Sequence, residues 1–486
     1  MAGISAYGAY IPRLRLQRQS ILAANGWFNP ALKALAKGER AICNWDEDAL
    51  TMAVEAARDC LTGVDRETVR SVQLASTSLP FADRQNATVL AEALNLSEAI
   101  ATADLTSSLR AATSAMVNML NGAGHASDRA LLVAGEHRQA KAAGAEEMML
   151  GDAAAALVIE SGPGIAEFIG SHQSAVDFVD HYRGQNAVFD YGWEERWIRD
   201  EGHLKIVPRA VAALLAETGL SGDTIDHFVV PLAAATVKRL ARQLGISESA
   251  VADNLQAVLG DSGTAHPLIM LIQTLERATP GQTILVVGWG QGCDALLFRT
   301  TEALTALPAR SGVRGSLARR REESNYNRYL AFNGLIQQEK GLRSELDKQT
   351  ALSALYRNKE MILGFIGGRC TECGTVQFPK TNACVNPNCG KFHTQEDYPL
   401  ADAPARIQSW TADNLTYSPD PPHHFGMVVF DDGGRLMADI TDVEAGAVDV
   451  GMRVRMMFRV KDYDERRGFR RYFWKAAPAD GETPSG

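Results

Sequence analysis

Residues 103–116, ADLTSSLRAATSAM, limit most tightly what this chain can fold into. A short apolar entry at 101–105 runs into a turn of small residues and then a helix reaching to about Leu120. Small side chains let such a backbone pack deep inside a fold. A helix N-terminus held there offers free N–H groups and partial positive charge. Acyl-transfer chemistry seats its nucleophile at such a point, as a thiolate or an activated hydroxyl. Here the seat is present and no cysteine stands in it. Ser107 and Ser108 read as helix caps, because nothing in the sequence fixes a base beside them.

Strands and helices alternate on both sides of this stretch. Strands are expected at 3–10, 72–78 and 130–136, with a tight turn running into a strand over 151–160 and helices at 46–61 and 87–94. Residues 166–205 are irregular and aromatic and read as a cap or pocket wall. Beyond them come a helix at 206–217, a strand at 226–232 and a helix at 236–244. GDSGTAHP (260–267) then opens a helix to about Glu276, and a buried strand at 283–287 enters GWGQG, followed by a strand at 293–299. The pattern is that of a layered α/β domain. GDAAAALVIE in the first half echoes GCDALLFRT in the second, which implies two similar halves.

At 486 residues the chain should hold two or three domains. A net charge of −9 argues against a general nucleic-acid binder. The opening MAGISAYGAYIPRLRLQRQ is not the pattern of a signal peptide, and no apolar run is long enough to span a membrane. Of seven cysteines, four lie within 370–389, which suits a reducing cytoplasm and one metal site better than a disulfide framework. Cys370-x-x-Cys373 and Cys384-x4-Cys389 are two knuckles, and four thiolates suit a closed, structural zinc site. His393 reads as exposed rather than ligating. The β-rich remainder reads as an OB-type barrel. The expected division is a first half (1–165), a cap and second half (166–300), and a linker with a helical segment (301–363). A zinc ribbon (364–400), an OB-fold domain (401–478) and a disordered tail (479–486) complete it. Arg310, Arg314, Arg319, Arg320 and Arg321 read as a solvated linker, with a phosphate-binding face as the lesser alternative.

The pieces GAYIP, STSLPF, DLTSSLRAAT, GDAAAALVI, VVPLAAATVKRLARQLG, GDSGTAHP and VGWGQG follow one another over residues 3–300. In that order they resemble the thiolase superfamily, and within it hydroxymethylglutaryl-CoA synthase and the ketoacyl-carrier-protein synthase III group. Residues 364–478 resemble the zinc-ribbon and OB-fold modules that accompany thiolase-like proteins acting on acyl-CoA. The resemblance implies a duplicated αβαβα five-layer sandwich, a homodimer, structural zinc and a coenzyme A thioester as substrate. It also implies three departures. Leu109, preceded by Ser108, stands where the acyl-accepting cysteine belongs, Thr77 or Ser78 where the acid belongs, and Leu232 where the histidine belongs.

What remains is His266, similar to the histidine of a thiolase GHP element, with Asp261 and His137 as further candidates and the Gly288-Trp289-Gly290-Gln291-Gly292 backbone as an oxyanion loop. The bland alternative for His266 is a helix-start histidine satisfied by a backbone carbonyl. Retro-aldol cleavage of a 3-hydroxyacyl-CoA needs no covalent acyl-cysteine and is the expected chemistry. Two alternatives stay open: a hydroxymethylglutaryl-CoA synthase or related condensing acyltransferase, and a non-catalytic acyl-CoA-binding scaffold.

Overall fold

Residues 2–122, 128–340 and 349–479 are described by the computed structural model. Two units make up the chain: Met1–Asn44, Asp48–Thr88 and Ser97–Tyr329 in the first, and Trp45–Glu47, Val89–Leu96 and Leu330–Gly486 in the second. The first unit is built on strands β1 (Ala2–Tyr10), β2 (Val69–Ala75), β3 (Ala101–Leu105), β4 (Arg129–Glu136), β5 (Ala153–Ser161), β6 (Ala166–Ala175), β7 (His227–Val229), β8 (Thr283–Trp289) and β9 (Gly292–Thr300). They hydrogen-bond in the order β7-β8-β9-β6-β1-β5-β4-β2-β3.

That order contains the duplication. In one half β2 and β4 run parallel, and β4, β5 and β1 follow antiparallel. In the other half β7 and β8 run parallel, and β8, β9 and β6 follow antiparallel. The echoing segments GDAAAALVIE and GCDALLFRT thus supply the equivalent strands β5 and β9. The half-sheets meet where Gly3 and Ile4 of β1 pair with Glu167 and Ala166 of β6. Where the first half has β3, the second has a single bridge between Phe228 and Val251.

Helices form the other three layers. α1 (Ala49–Cys60) covers β1, β4 and β5, and α3 (Leu204–Thr218) covers β6 and β9. Between the half-sheets lie α2 (Ala111–Gly122) and α4 (His266–Leu275), every residue of α4 being buried. α2 touches strands of both halves, so its N-terminus is fixed by both. This is the five-layer αβαβα sandwich. A capping box at Asp48 and Thr51 starts α1, and a left-handed glycine, Gly219, ends α3.

Two segments differ from their sequence reading. Ala166–Ala175, expected as irregular cap, is a ten-residue strand in the middle of the sheet. Its residues, AEFIGSHQSA, are polar and small because much of the strand is only half-buried, so apolar alternation does not reveal it. Residues 301–329, expected as linker, fold with the first unit. Arg310 donates to the carbonyls of Tyr7 and Cys60, and Val313, Ser316 and Tyr329 are buried. Arg320 pairs with Glu39, so these arginines are partly tied down by carbonyls and carboxylates. Part of the expected helical segment (341–348) and nearly all of the expected tail (480–486) lie outside the described residues.

In the second unit, Ile366–Cys370, Val376–Gln377 and Gln395–Pro399 form a three-stranded ribbon. Five strands follow, hydrogen-bonded in the order Arg435–Asp439, His423–Phe430, Ala405–Asp413, Arg453–Asp464, Phe469–Pro478. A bridge from Ile440 to Ala476 brings the two ends of this sheet together, as an OB barrel requires. Trp474, fully buried, stacks on Phe365 and donates its indole N–H to the Leu363 carbonyl at 2.8 Å. No helix among the described residues is long and apolar enough to cross a membrane.

α1 packs tightly on β1 at Gly8. A Cβ there would stand 2.1 Å from the Cys60 amide nitrogen and 2.4 Å from the Ala56 carbonyl oxygen. Gly8→Ala should therefore destabilise the first unit by about 3 kcal/mol, the upper range of overpacking, read as a lowered midpoint in urea unfolding. An unchanged midpoint would mean that α1 is free to lift.

Candidate functional site

Strands β2, β3 and β4 are parallel, so their C-terminal ends open on one edge, the usual place for a ligand in an α/β sheet. Thr77–Ser78 leave β2 there, Thr106–Leu109 leave β3 and Glu136–Arg138 end β4. From the other half the loop after β8 reaches the same turn. Ser108 Oγ donates to the Gly290 carbonyl at 3.0 Å, and Arg110 Nε donates to it at 2.9 Å. Gly290 has φ +158° and no room for a side chain, since a Cβ would lie 2.8 Å from Ser108 Oγ and 3.1 Å from the Leu109 amide nitrogen. The seat and the glycine loop are thus in contact, with half-buried Leu109 in the turn that leads into α2.

One residue that sequence reasoning missed anchors this contact. Asp294, on β9, has no exposed surface. It accepts from Arg110 Nη1 at 2.7 Å, Thr113 Oγ1 at 2.8 Å, Ser114 Oγ at 2.7 Å and Gln173 Nε2 at 3.0 Å. The available signal was an acid inside an otherwise apolar strand, GCDALLF. Cys293 beside it is buried, and burial pushes its thiol up.

Glu136 was also missed as a site residue. It is fully buried at the end of β4 and sits under the loop expected to have lost its acid. Its Oε1 accepts from the Thr77 hydroxyl at 3.1 Å and from the Ser78 hydroxyl. Its Oε2 accepts from the Thr264 amide at 3.2 Å and hydroxyl at 2.6 Å. Ser78 Oγ also accepts from the His137 amide at 2.8 Å. A carboxylate therefore reaches the Thr77–Ser78 loop from the neighbouring strand.

The expected candidates occupy this same polar layer. His266 begins α4 with no exposed surface; its Nδ1 lies 3.1 Å from both the amide and the hydroxyl of Ser262, and its Nε2 lies 2.9 Å from the Asn254 carbonyl. Burial holds this imidazole below its usual range. Asn254 Nδ2 donates at 2.9 Å to the carbonyl of Leu232, which joins His266 to the loop where a histidine was expected. Asp261 accepts from the Gly263 amide and lies 3.3 Å from Arg138. Burial opposes its charge, but Arg138 and His266 hold it below the usual carboxylate range. His137 Nδ1 faces Asp152 at 3.1 Å.

The aromatic cap meets the glycine loop through Trp289. The indole N–H donates to Asp180 Oδ2 at 2.7 Å, and Asp180 Oδ1 lies 2.8 Å from His181 Nδ1. Phe178 stacks on Trp197 and meets Trp289 edge-on. His203 closes a π-helical turn, Ile198–His203, and sits edge-on to Trp289 at 4.7 Å. Single π turns inside helices often mark functional places. Beside the cap a cleft of about 820 Å³ is lined by Phe178, Trp197, Leu204 and Pro208. It adjoins one of about 670 Å³ in which Arg196, Arg199, Lys205 and Arg239 face only Asp200 and Glu201.

In the second unit, Cys370 and Cys389 sulfurs lie 3.9 Å apart and those of Cys373 and Cys384 3.6 Å apart, with all four within 4.8 Å of one another. Zn–S bonds of about 2.3 Å in a tetrahedron place sulfurs about 3.8 Å apart, so the four residues fit a closed structural metal site.

Comparison with known proteins bears on both units. Residues 363–393 match the family described as ChsH2, rubredoxin-like zinc ribbon domain, and residues 398–459 match ChsH2, C-terminal OB-fold domain. A crystal structure of HMG-CoA synthase complexed with CoA covers 72% of this chain and 95% of its own, with TM-score 0.61 and 18% identity. The 3-oxoacyl-[acyl-carrier-protein] synthase III of Aquifex aeolicus covers 62% of this chain and 100% of its own, with TM-score 0.53 and 16% identity. The fold is therefore that of the thiolase superfamily. The hydroxymethylglutaryl-CoA synthase of Aeropyrum pernix is 31% identical over 345 residues, 69% of this chain and 95% of that one. The chain belongs to the hydroxymethylglutaryl-CoA synthase family, with a zinc ribbon and an OB fold following.

Burial pushes His203 down from 6.5 to about 4. The unfolded chain takes up this proton near 6.5 and the folded chain only near 4. Stability should therefore fall as pH drops through that window, by about 3 kcal/mol in total, and level off below it. Urea midpoints at pH 7 and pH 4.5 should differ less in His203→Gln than in the unaltered protein. Equal differences would place His203 in contact with solvent.

Proposed function

We propose that this chain forms a carbon–carbon bond next to the carbonyl of a coenzyme A thioester without carrying the acyl group on the protein. The observation that supports it is Leu109. In the turn that leads into α2, with its amide nitrogen facing Gly290, stands a residue whose side chain cannot form a thioester. Membership in a family named for condensation favours the bond-forming direction, and retro-aldol cleavage is the same site run in reverse.

The chemistry needs a proton acceptor, an oxygen cradle and a bound coenzyme A. The cradle we propose is the Leu109 amide at the N-terminus of α2 together with the main chain of the Gly288–Gly292 loop. A proton leaves Cα of the acyl group for the Ser78 hydroxyl as that hydroxyl passes its own to Glu136, and the enolate oxygen forms in the cradle. The enolate carbon attacks the carbonyl carbon of a second substrate, and the resulting alkoxide takes the proton that Glu136 returns through Ser78, giving a 3-hydroxyacyl-CoA. In reverse, the β-hydroxyl gives its proton through Ser78 to Glu136, the Cα–Cβ bond breaks, a carbonyl compound leaves and the enolate carbon takes the proton back. His266, Asp261 and His137 would hold the Ser262–Thr264 and Glu136–Arg138 segments in place for this transfer. The four cations around Asp200 and Glu201 suit the phosphates of coenzyme A, and the aromatic cleft beside them suits its pantetheine arm. Zinc in the ribbon would be structural. We also propose a homodimer, with β3, the last strand of the sheet, as its contact.

Exchange of the acyl Cα hydrogens with deuterated water tests the proposal, since enolate formation alone is enough to register. The full chain should exchange acetyl-CoA or a longer acyl-CoA, and Glu136→Gln should lose on the order of 10²-fold or more. Arg239→Ala should raise KM for the thioester with kcat nearly unchanged, as expected for uniform binding. Absence of both exchange and turnover across acyl-CoA and 3-hydroxyacyl-CoA esters would favour the scaffold reading.

A further inference from the structure

Behind the Ser78–Glu136 contact, three side chains from separate segments meet inside the first unit. Cys43 follows the strand Glu39–Ile42, His137 follows β4 and Asp152 precedes β5. One sulfur, one imidazole nitrogen and one carboxylate oxygen lie within 4.8 Å of one another. Cys43 is 3% exposed and Asp152 2%. The backbone turns the carboxylate into place, with the Cys43 amide donating to Asp152 Oδ2 at 2.7 Å and His137 Nδ1 standing 3.1 Å from the same oxygen. The other oxygen, Oδ1, is buried and has no hydrogen-bond partner among the described residues. A buried carboxylate oxygen without a donor is costly, so such an atom calls for a partner.

We propose that Cys43, His137 and Asp152 form a second metal site, holding one zinc ion separate from the ribbon. The donor set decides the metal. Zinc accepts sulfur at about 2.3 Å, nitrogen at about 2.0 Å and carboxylate oxygen at about 2.1 Å, so tetrahedral ligands stand about 3.3–3.7 Å apart. The nitrogen–oxygen separation of 3.1 Å is close to that, and small side-chain rotations bring the sulfur in. Magnesium and calcium want six or more oxygen ligands, and this set offers a single carboxylate beside a thiol and an imidazole. Charge favours the same choice. A thiolate and a carboxylate cancel the two positive charges of the ion, so the buried set carries no net charge. Three protein ligands leave a fourth position open to water or a small ligand. Because the His137 amide donates to Ser78 Oγ, an ion on the His137 ring would also steady Ser78.

Metal content of the full chain, made with zinc supplied and purified reduced without chelators, tests the site. We expect two zinc ions per chain. Cys370→Ser should lose the ribbon ion and keep one. Cys43→Ser should also keep one, and Asp152→Asn provides the same reading if Cys43→Ser fails to fold. A single ion in the unaltered protein, with none left in Cys370→Ser, would overturn the proposal. So would a second ion that survives both Cys43→Ser and Asp152→Asn. If neither inner variant folds, retention of one ion by Cys370→Ser supports the site, and its loss refutes it.

Discussion

A buried carboxylate has to be answered by donors, and Asp294 is answered by both halves of the first unit. Its partners Arg110, Thr113 and Ser114 lie at the start of α2, and Gln173 lies on β6. Removing one partner from a buried ion pair typically costs about 3–5 kcal/mol, so the pairing is a strong constraint on where α2 begins. With α2 held there, Ser108 and Arg110 can share the Gly290 carbonyl, and the glycine loop has one position open to it. Asp180 does the corresponding work on the cap side by holding the Trp289 indole. Two buried acids, each on a different neighbour of the loop, fix the surface on which a thioester would rest.

The three positions that the resemblance assigns to Leu109, Thr77 or Ser78, and Leu232 do not leave an apolar hole. Glu136 reaches the Thr77–Ser78 loop from β4, and Asn254 links Leu232 to His266. Charge is thus kept one layer below the surface where a nucleophile and its partners would stand. Such a layer can organise hydroxyls and amides and accept a proton through them. The non-covalent enolate chemistry we propose draws on hydroxyls and amides held in this way.

Much of this was legible in the sequence, for identifiable reasons. The apolar runs of β4, β5, β8 and β9 and the amphipathic α1 are strong local signals, and the β5–β9 echo revealed the duplication. The cysteine knuckles at 370–373 and 384–389 are close to self-explanatory. β6 was hidden because it is half-buried and polar, and residues 301–329 because their arginines answer carbonyls and carboxylates distant in sequence. Asp294, Glu136 and His203 escaped notice because a buried charge or imidazole gains its meaning from partners 58 to 184 residues away, as in Glu136 with Ser78 and Asp294 with Arg110. Tertiary hydrogen bonds of that span leave no local pattern.

Leu109 carries the central claim, and the absence of an acyl-protein is its direct consequence. The most direct measurement is intact-protein mass spectrometry of the full chain after incubation with acetyl-CoA, quenched in acid during turnover with a carbonyl acceptor present. The account predicts an unchanged protein mass alongside formation of a 3-hydroxyacyl-CoA. A chain heavier by one acetyl group, with the label mapped to any cysteine or to Ser107 or Ser108, would contradict it.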